Sequence, residues 1–157
     1  MTDPKLPSAI DRFFRAMQAG ATSEAAMMAL FAEDAEYSEP FSGKTQTHQG
    51  KAAIRRAFVQ GWKHPLPSMR LEVDRVDLDD QTIRVDWTCH SPALPGGKGQ
   101  GTNEFSLSGG LIRRLITKAT SKNSLFPARS KSDSRMLTQR GVLHHGPAGI
   151  FRFAAAI

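Results

Sequence analysis

From Met69 onward the apolar residues of this chain recur at every second position, and that period dictates what the chain can fold into. Met69, Leu71 and Val73 alternate with polar residues, Val76 and Leu78 continue in the opposite phase, and Ile83, Val85, Trp87 and Cys89 restart cleanly. A two-residue period places one set of side chains on one face of a pleated strand. The one-residue slip after Val73 is what a β-bulge does, and a bulge bends the strand that carries it. "DLDDQT", with Asp77, Asp79 and Asp80, reads as a hairpin turn. "SPALPGGKGQG" reads as a long connection, "TNEFSL" as a strand, "SGG" as a tight turn and "LIRRLIT" as the last strand.

Ahead of this meander the spacing is helical. Leu6, Ile10, Phe13, Phe14 and Met17 share one side, with Ser8 as cap and Gly20 as stop. Thr22 or Ser23 caps a short second helix with Met27, Leu30 and Phe31 on its apolar side. "GKAAIRRAFVQGW" is a third, with Ile54, Ala57 and Phe58 inward. Between the second and third, "DAEYSEPF" reads as a strand ended by Pro40. The expected architecture is α+β: three N-terminal helices packed on one face of a strongly curved antiparallel sheet.

The formal charge of +6 suggests nucleic acid until its distribution is read. Residues 1–117 hold fourteen basic and fourteen acidic residues; residues 118–157 hold seven basic and one acidic, Asp133. The excess belongs to a Ser-, Arg- and Lys-rich tail without aromatic interleaving, which argues against nucleic acid as a partner. Residues 118–157 are therefore expected to be a basic tail, disordered or loosely docked, beside a domain of residues 1–117. No run reaches membrane-span length, no secretory signal is visible, and a cytoplasmic location is the default. Cys89 is the one cysteine, so neither an intrachain disulfide nor a cysteine-based zinc cluster is expected. The adjacent His144 and His145 have no carboxylate nearby, and no metal site is expected there.

One short stretch invites chemistry. In "AEYSEPF", alternation puts Tyr37, Glu39 and Phe41 on one face. A carboxylate between two aromatic rings is either a partly desolvated proton acceptor or a rim group, solvated or paired with Arg55 or Lys51.

The segments "FFRAMQAG", "ALFAEDAEYSEPF", "HQGKAAIRRAF", "VDWTCHSPALPGG" and "GTNEFSLSGGLIRRL" together resemble the nuclear transport factor 2-like superfamily, in its SnoaL-like and ketosteroid isomerase-like branch. The resemblance covers about Leu6 to Thr117. It implies a cone-shaped sheet and helices enclosing a mostly apolar pocket, and usually a homodimer formed through the open sheet face. Apolar residues on both phases of the long strands are consistent with such pairing. In ketosteroid isomerases the general base is an acid just before a Pro-Phe pair, which here falls on Glu39. Their helix tyrosine falls on Phe13, and their protonated aspartate on Asn103, whose amide can still donate a hydrogen bond. The resemblance implies a wall of Phe13, Met17, Tyr37, Phe41, Phe58, Trp87 and Phe105. His48 and His90 read as loop or surface residues, and Trp87 as core or ligand platform.

Two functions follow from the resemblance. One is a cofactor-free isomerase, cyclase or dehydratase acting on a small apolar enolisable ketone, with Glu39 as base and Asn103 as donor. The other is a non-catalytic module of the same fold that binds a small ligand or dimerises.

Overall fold

The computed structural model describes residues 6–120. Helix α1 spans Ser8–Ala19, a tight turn of helix at Gly20–Ser23 leads into the five-residue α2, Glu24–Met28, and strand β1 runs Phe31–Glu39. Strand β2 (Gln46–Gln49) and helix α3 (Lys51–Trp62) follow. The long strands are β3 (Arg70–Leu78), β4 (Thr82–His90), β5 (Lys98–Ser108) and β6 (Leu111–Ala119). The six strands form one sheet in the order β2-β1-β6-β5-β4-β3. The fold is α+β, with the helices at the N-terminal end of the chain and a curved sheet that does not close.

Several local expectations need correction. Pro7, with its extended ψ, precedes α1, so Ser8 is the first helical residue and makes no capping hydrogen bond; the Pro7 carbonyl accepts from Ile10 and Asp11 instead. Phe31 opens β1 rather than closing α2. β2 has no apolar alternation and went unread; it is held to β1 by Ser38 Oγ and Thr47 Oγ1 at 2.9 Å and by Gln49 Nε2 donating to Glu36 at 2.8 Å. "KGQG" is the start of β5, not loop, and β6 continues two residues past Thr117 to Ala119. The sheet is mixed, since β1 pairs with β6 in parallel while the other pairs are antiparallel. The expected tail lies, beyond Thr120, outside the described residues.

The bulge in β3 is where the pattern placed it, between Val73 and Arg75. Its effect on the faces differs from the expectation. The extra residue restores the phase, so Val73 sits opposite Trp87 and Val76 opposite Val85, and both valines point inward. The outer face is left polar. Thr88 donates to Asp74 and Thr102 to Asp86 at 2.8 Å, while Lys118 pairs with Glu104 and Arg114 with Glu36. Of the apolar residues of the long strands, Ile116 stays on this face, level with Ser38 and Glu104, so the outer phase is less apolar than expected.

Inside, Phe13 is the hub. Its ring meets Phe14, Phe31, Phe58 and Phe105 at centroid distances of 5.2–6.4 Å, all edge-on. Edge-to-face pairs of this kind add roughly 0.5–1.5 kcal/mol each beyond the area they bury. They lock α1 to α3 and to the concave face of β5. No helix among the described residues is long and apolar enough to cross a membrane.

Candidate functional site

Strand pairing brings polar side chains from widely separated segments onto the inner face at one end of the sheet. On β1, Tyr37 and Glu39 point inward and Ser38 outward, as alternation requires. Ser38 pairs with Ile116 on β6, so Thr117 is the next residue along beside Glu39. Thr117 in turn pairs with Asn103 on β5. Glu39, Thr117 and Asn103 thus occupy three adjacent strands, the outer two about 10 Å apart across the sheet by two strand spacings. All three are buried.

Each group is held by a named partner. Glu39 is 7% exposed. Its Oε2 accepts the Phe41 backbone N–H at 2.9 Å, a contact that the turn after Pro40 makes possible. Its Oε1 lies 3.5 Å from His48 Nε2. His48 reaches it because β2 doubles back on β1 with Tyr37 opposite His48; the imidazole ring also stands 5.8 Å from the Tyr37 ring. Arg55 and Lys51, the partners considered for Glu39, pair with Glu24 and Glu33 instead.

Asn103 Oδ1 accepts two hydrogen bonds, from Trp87 Nε1 at 3.1 Å and from Thr117 Oγ1 at 2.9 Å. An indole N–H can only donate, so the amide oxygen must face Trp87 and the NH₂ group is turned away as a donor. Tyr37 lies on the same face. Burial, with the Glu39 carboxylate nearby, pushes its phenol well above the ordinary tyrosine range; the Thr117 hydroxyl beside it works weakly the other way. The phenol therefore keeps its proton under all ordinary conditions.

The expected lining divides into two groups. Phe13, Tyr37, Phe58 and Phe105 pack ring against ring, with Tyr37 and Phe58 stacked at 5.1 Å and Phe13 against Phe105 at 5.2 Å. Phe41 is buried beside Glu39, and Trp87 lies flat over Gly101, where an added Cβ would stand 2.1 Å from its ring. Met17 borders a cavity of about 330 Å3 near the start of β3, and none of Tyr37, Glu39, His48 or Asn103 lines it. His90 pairs with Glu72 at 3.0 Å on the outer face, away from this group. His48 comes within reach of Glu39 through β2, which has no apolar alternation to mark it, and Thr117 joins the group through the strand pairings of β6.

A SnoaL-like domain model matches residues 10–115. The chain belongs to the SnoaL-like family. No curated protein matches this SnoaL-like chain. Among solved structures, a candidate polyketide cyclase from Sinorhizobium meliloti is 27% identical, aligned over 72% of this chain and 95% of its own, with a TM-score of 0.60. A candidate ketosteroid isomerase from Kribbella flavida is 16% identical over 80% of this chain and 90% of its own, with a TM-score of 0.57. A protein of ketosteroid isomerase-like fold from Catenulispora acidiphila, solved with trimethylamine, is 13% identical over 74% and 88%, with a TM-score of 0.59. The last two likenesses are of fold alone. The SnoaL-like domain thus shares its frame with proteins of the polyketide cyclase and ketosteroid isomerase type.

Proposed function

We propose that this SnoaL-like domain is a cofactor-free proton-transfer catalyst for a small apolar enolisable ketone of steroid or polyketide type, working as an isomerase, cyclase or dehydratase. The observation that carries the reading is Glu39: a buried carboxylate, fixed at one oxygen by the Phe41 N–H and flanked at the other by His48. Oε1 removes a proton from the carbon α to the carbonyl, and the C–H electron pair moves onto the carbonyl oxygen as an enolate. The Asn103 NH₂ and the Tyr37 hydroxyl are the donors that face that charge. Collapse of the enolate then returns the proton to another carbon, forms a carbon–carbon bond or expels a leaving group. Tyr37 takes the part that the resemblance assigned to a helix tyrosine and that Phe13 cannot play.

A second reading has its own support. The contact of Phe13 with Phe105 and Phe58 fills much of the space between helices and sheet, which suits a module that binds a ligand or a partner without turning it over.

Deuterium exchange at the α-carbons of a panel of enolisable ketones, followed by NMR, separates the two. Wild type is expected to exchange at least one ketone faster than buffer, and Glu39→Gln to lose about 10²–10⁴-fold of that rate. Gln still accepts the Phe41 N–H, so the variant folds. Equal exchange in both proteins, or none in either, would favour the binding module.

A further inference from the structure

β3 ends the strand order on the side away from β1, so the backbone groups along its outer edge have no neighbouring strand. Beside Met69 and Leu71 that place is taken by a side chain of α1. Gln18 Nε2 donates to the Met69 carbonyl and Gln18 Oε1 accepts the Leu71 N–H, both at 2.7 Å. A glutamine amide offers the donor and acceptor of a peptide unit, and here it makes the two bonds that an added strand would make. Gln18 is exposed, so these bonds rather than burial hold its side chain in place.

An unpaired strand edge is a template for another chain, and folded proteins cover it or charge it. The charges on this edge fit one partner. Outward-facing backbone groups alternate along β3, and the extra residue of the bulge brings Val76 into the outward set with Leu71 and Val73. A second β3 laid antiparallel, its Val76 opposite Leu71, sets Arg70 against the second copy's Asp77 and Glu72 against its Arg75. Two-fold symmetry makes each match occur twice. Along a single strand Arg70 pairs with Glu72, which His90 shares, and Arg75 pairs with Asp77. On the inner face, the second copy's Val76 would stand beside a groove of about 360 Å3 that has Phe14, Leu71 and Val73 among its walls. We infer that the β3 edge is a pairing surface for a second copy of this chain, and that Gln18 holds it shut by occupying its outward bonds. The inference does not rest on Glu39 acting as a base.

Sedimentation of the full-length chain against concentration reads the pairing, and hydrogen exchange at the Leu71 amide reads the guard. Wild type is expected to keep one mass up to submillimolar concentration, with the Leu71 amide protected. Gln18→Ala leaves α1 a good helix former and should approach twice the wild-type mass as concentration rises. In dilute Gln18→Ala, before pairing, the Leu71 amide should exchange about tenfold faster than in wild type. Adding Arg75→Glu to Gln18→Ala sets an acid against the second copy's Glu72 and should return the protein to the wild-type mass. Adding Glu72→Arg to both restores the match of opposite charges and should restore association. An unchanged mass in Gln18→Ala, a Leu71 amide unprotected in wild type, or association indifferent to the charge changes would overturn the inference. None of these readouts involves α-carbon exchange, so a protein that fails that assay and still pairs in this way would lose the catalytic reading and keep this one.

Discussion

The Trp87 indole N–H donates to Asn103 Oδ1 at 3.1 Å, and that bond fixes which way round the Asn103 amide sits. The oxygen is also taken by Thr117, so Asn103 acts as a three-strand clamp joining β4, β5 and β6. Replacing it by Leu strands two buried donors, each costing about 1–3 kcal/mol when unpaired. Asn103→Leu is expected to lower the unfolding free energy by about 2–4 kcal/mol in urea titration. In a double-mutant cycle with Trp87→Phe the losses should add to less than their sum, because the second change removes one of the stranded donors.

Gly101 is fixed by its neighbour rather than by its backbone. It lies opposite Trp87 in the β4–β5 ladder, and a Cβ there would overlap the indole at 2.1–2.7 Å. The ring is wedged against Asn103 and cannot retreat without breaking that bond. Gly101→Ala should cost near the upper end of the roughly 1–3 kcal/mol seen for overpacking. The near-ultraviolet circular dichroism of tryptophan should change with it, which a change in backbone freedom alone would not produce.

Tyr37 is the chain's one tyrosine, so tyrosinate absorbance reads it alone. Its folded value is raised above the ordinary 10.0, chiefly by burial. The unfolded chain gives up the proton near pH 10 while the folded one retains it, so stability is unaffected below that pH and falls as pH rises above it. The expected slope is about 1.4 kcal/mol per pH unit. Tyrosinate absorbance should therefore appear together with unfolding instead of at pH 10, and Tyr37→Phe should remove this part of the alkaline loss. Independent titration near pH 10 in the folded protein would contradict the burial.

Cys89 offers a parallel test on the opposite side of the sheet's centre. It is fully buried beside Leu66 and Trp87, and burial pushes its thiol up to about 11. The thiolate is the reactive form, so labelling by an aromatic disulfide at neutral pH should wait on opening of the fold. Its rate is expected to rise with urea in step with the unfolding equilibrium; fast labelling in buffer would mean that β4 is loosely held.

Legibility in the sequence followed the range of the interaction. The bulge was readable because it disturbs a two-residue rhythm within one strand, Met69 to Leu78. The inward face of Tyr37 and Glu39 was readable for the same reason. The phase restored by the bulge was not, because it depends on Val76 meeting Val85 across a ladder. β2 was hidden because four polar residues at a sheet edge carry no burial pattern, and with it went the approach of His48 to Glu39. The parallel pairing of Tyr37 with Leu115 leaves no local mark at all. The candidate lining was read as a wall when several of its rings are each other's neighbours, since aromatic content looks the same in a core and in a pocket.

That parallel pairing has a consequence in time. β1 is made early in synthesis, yet its partner β6 is the last strand among the described residues, and until it arrives β1 has only the four residues of β2 beside it. Such distant pairing slows folding. The end of β1 that carries Glu39 is thus the last seam of the sheet to close on a growing chain, and any ribosome-bound fragment ending before Leu111 would have the acid without the strand that supports it.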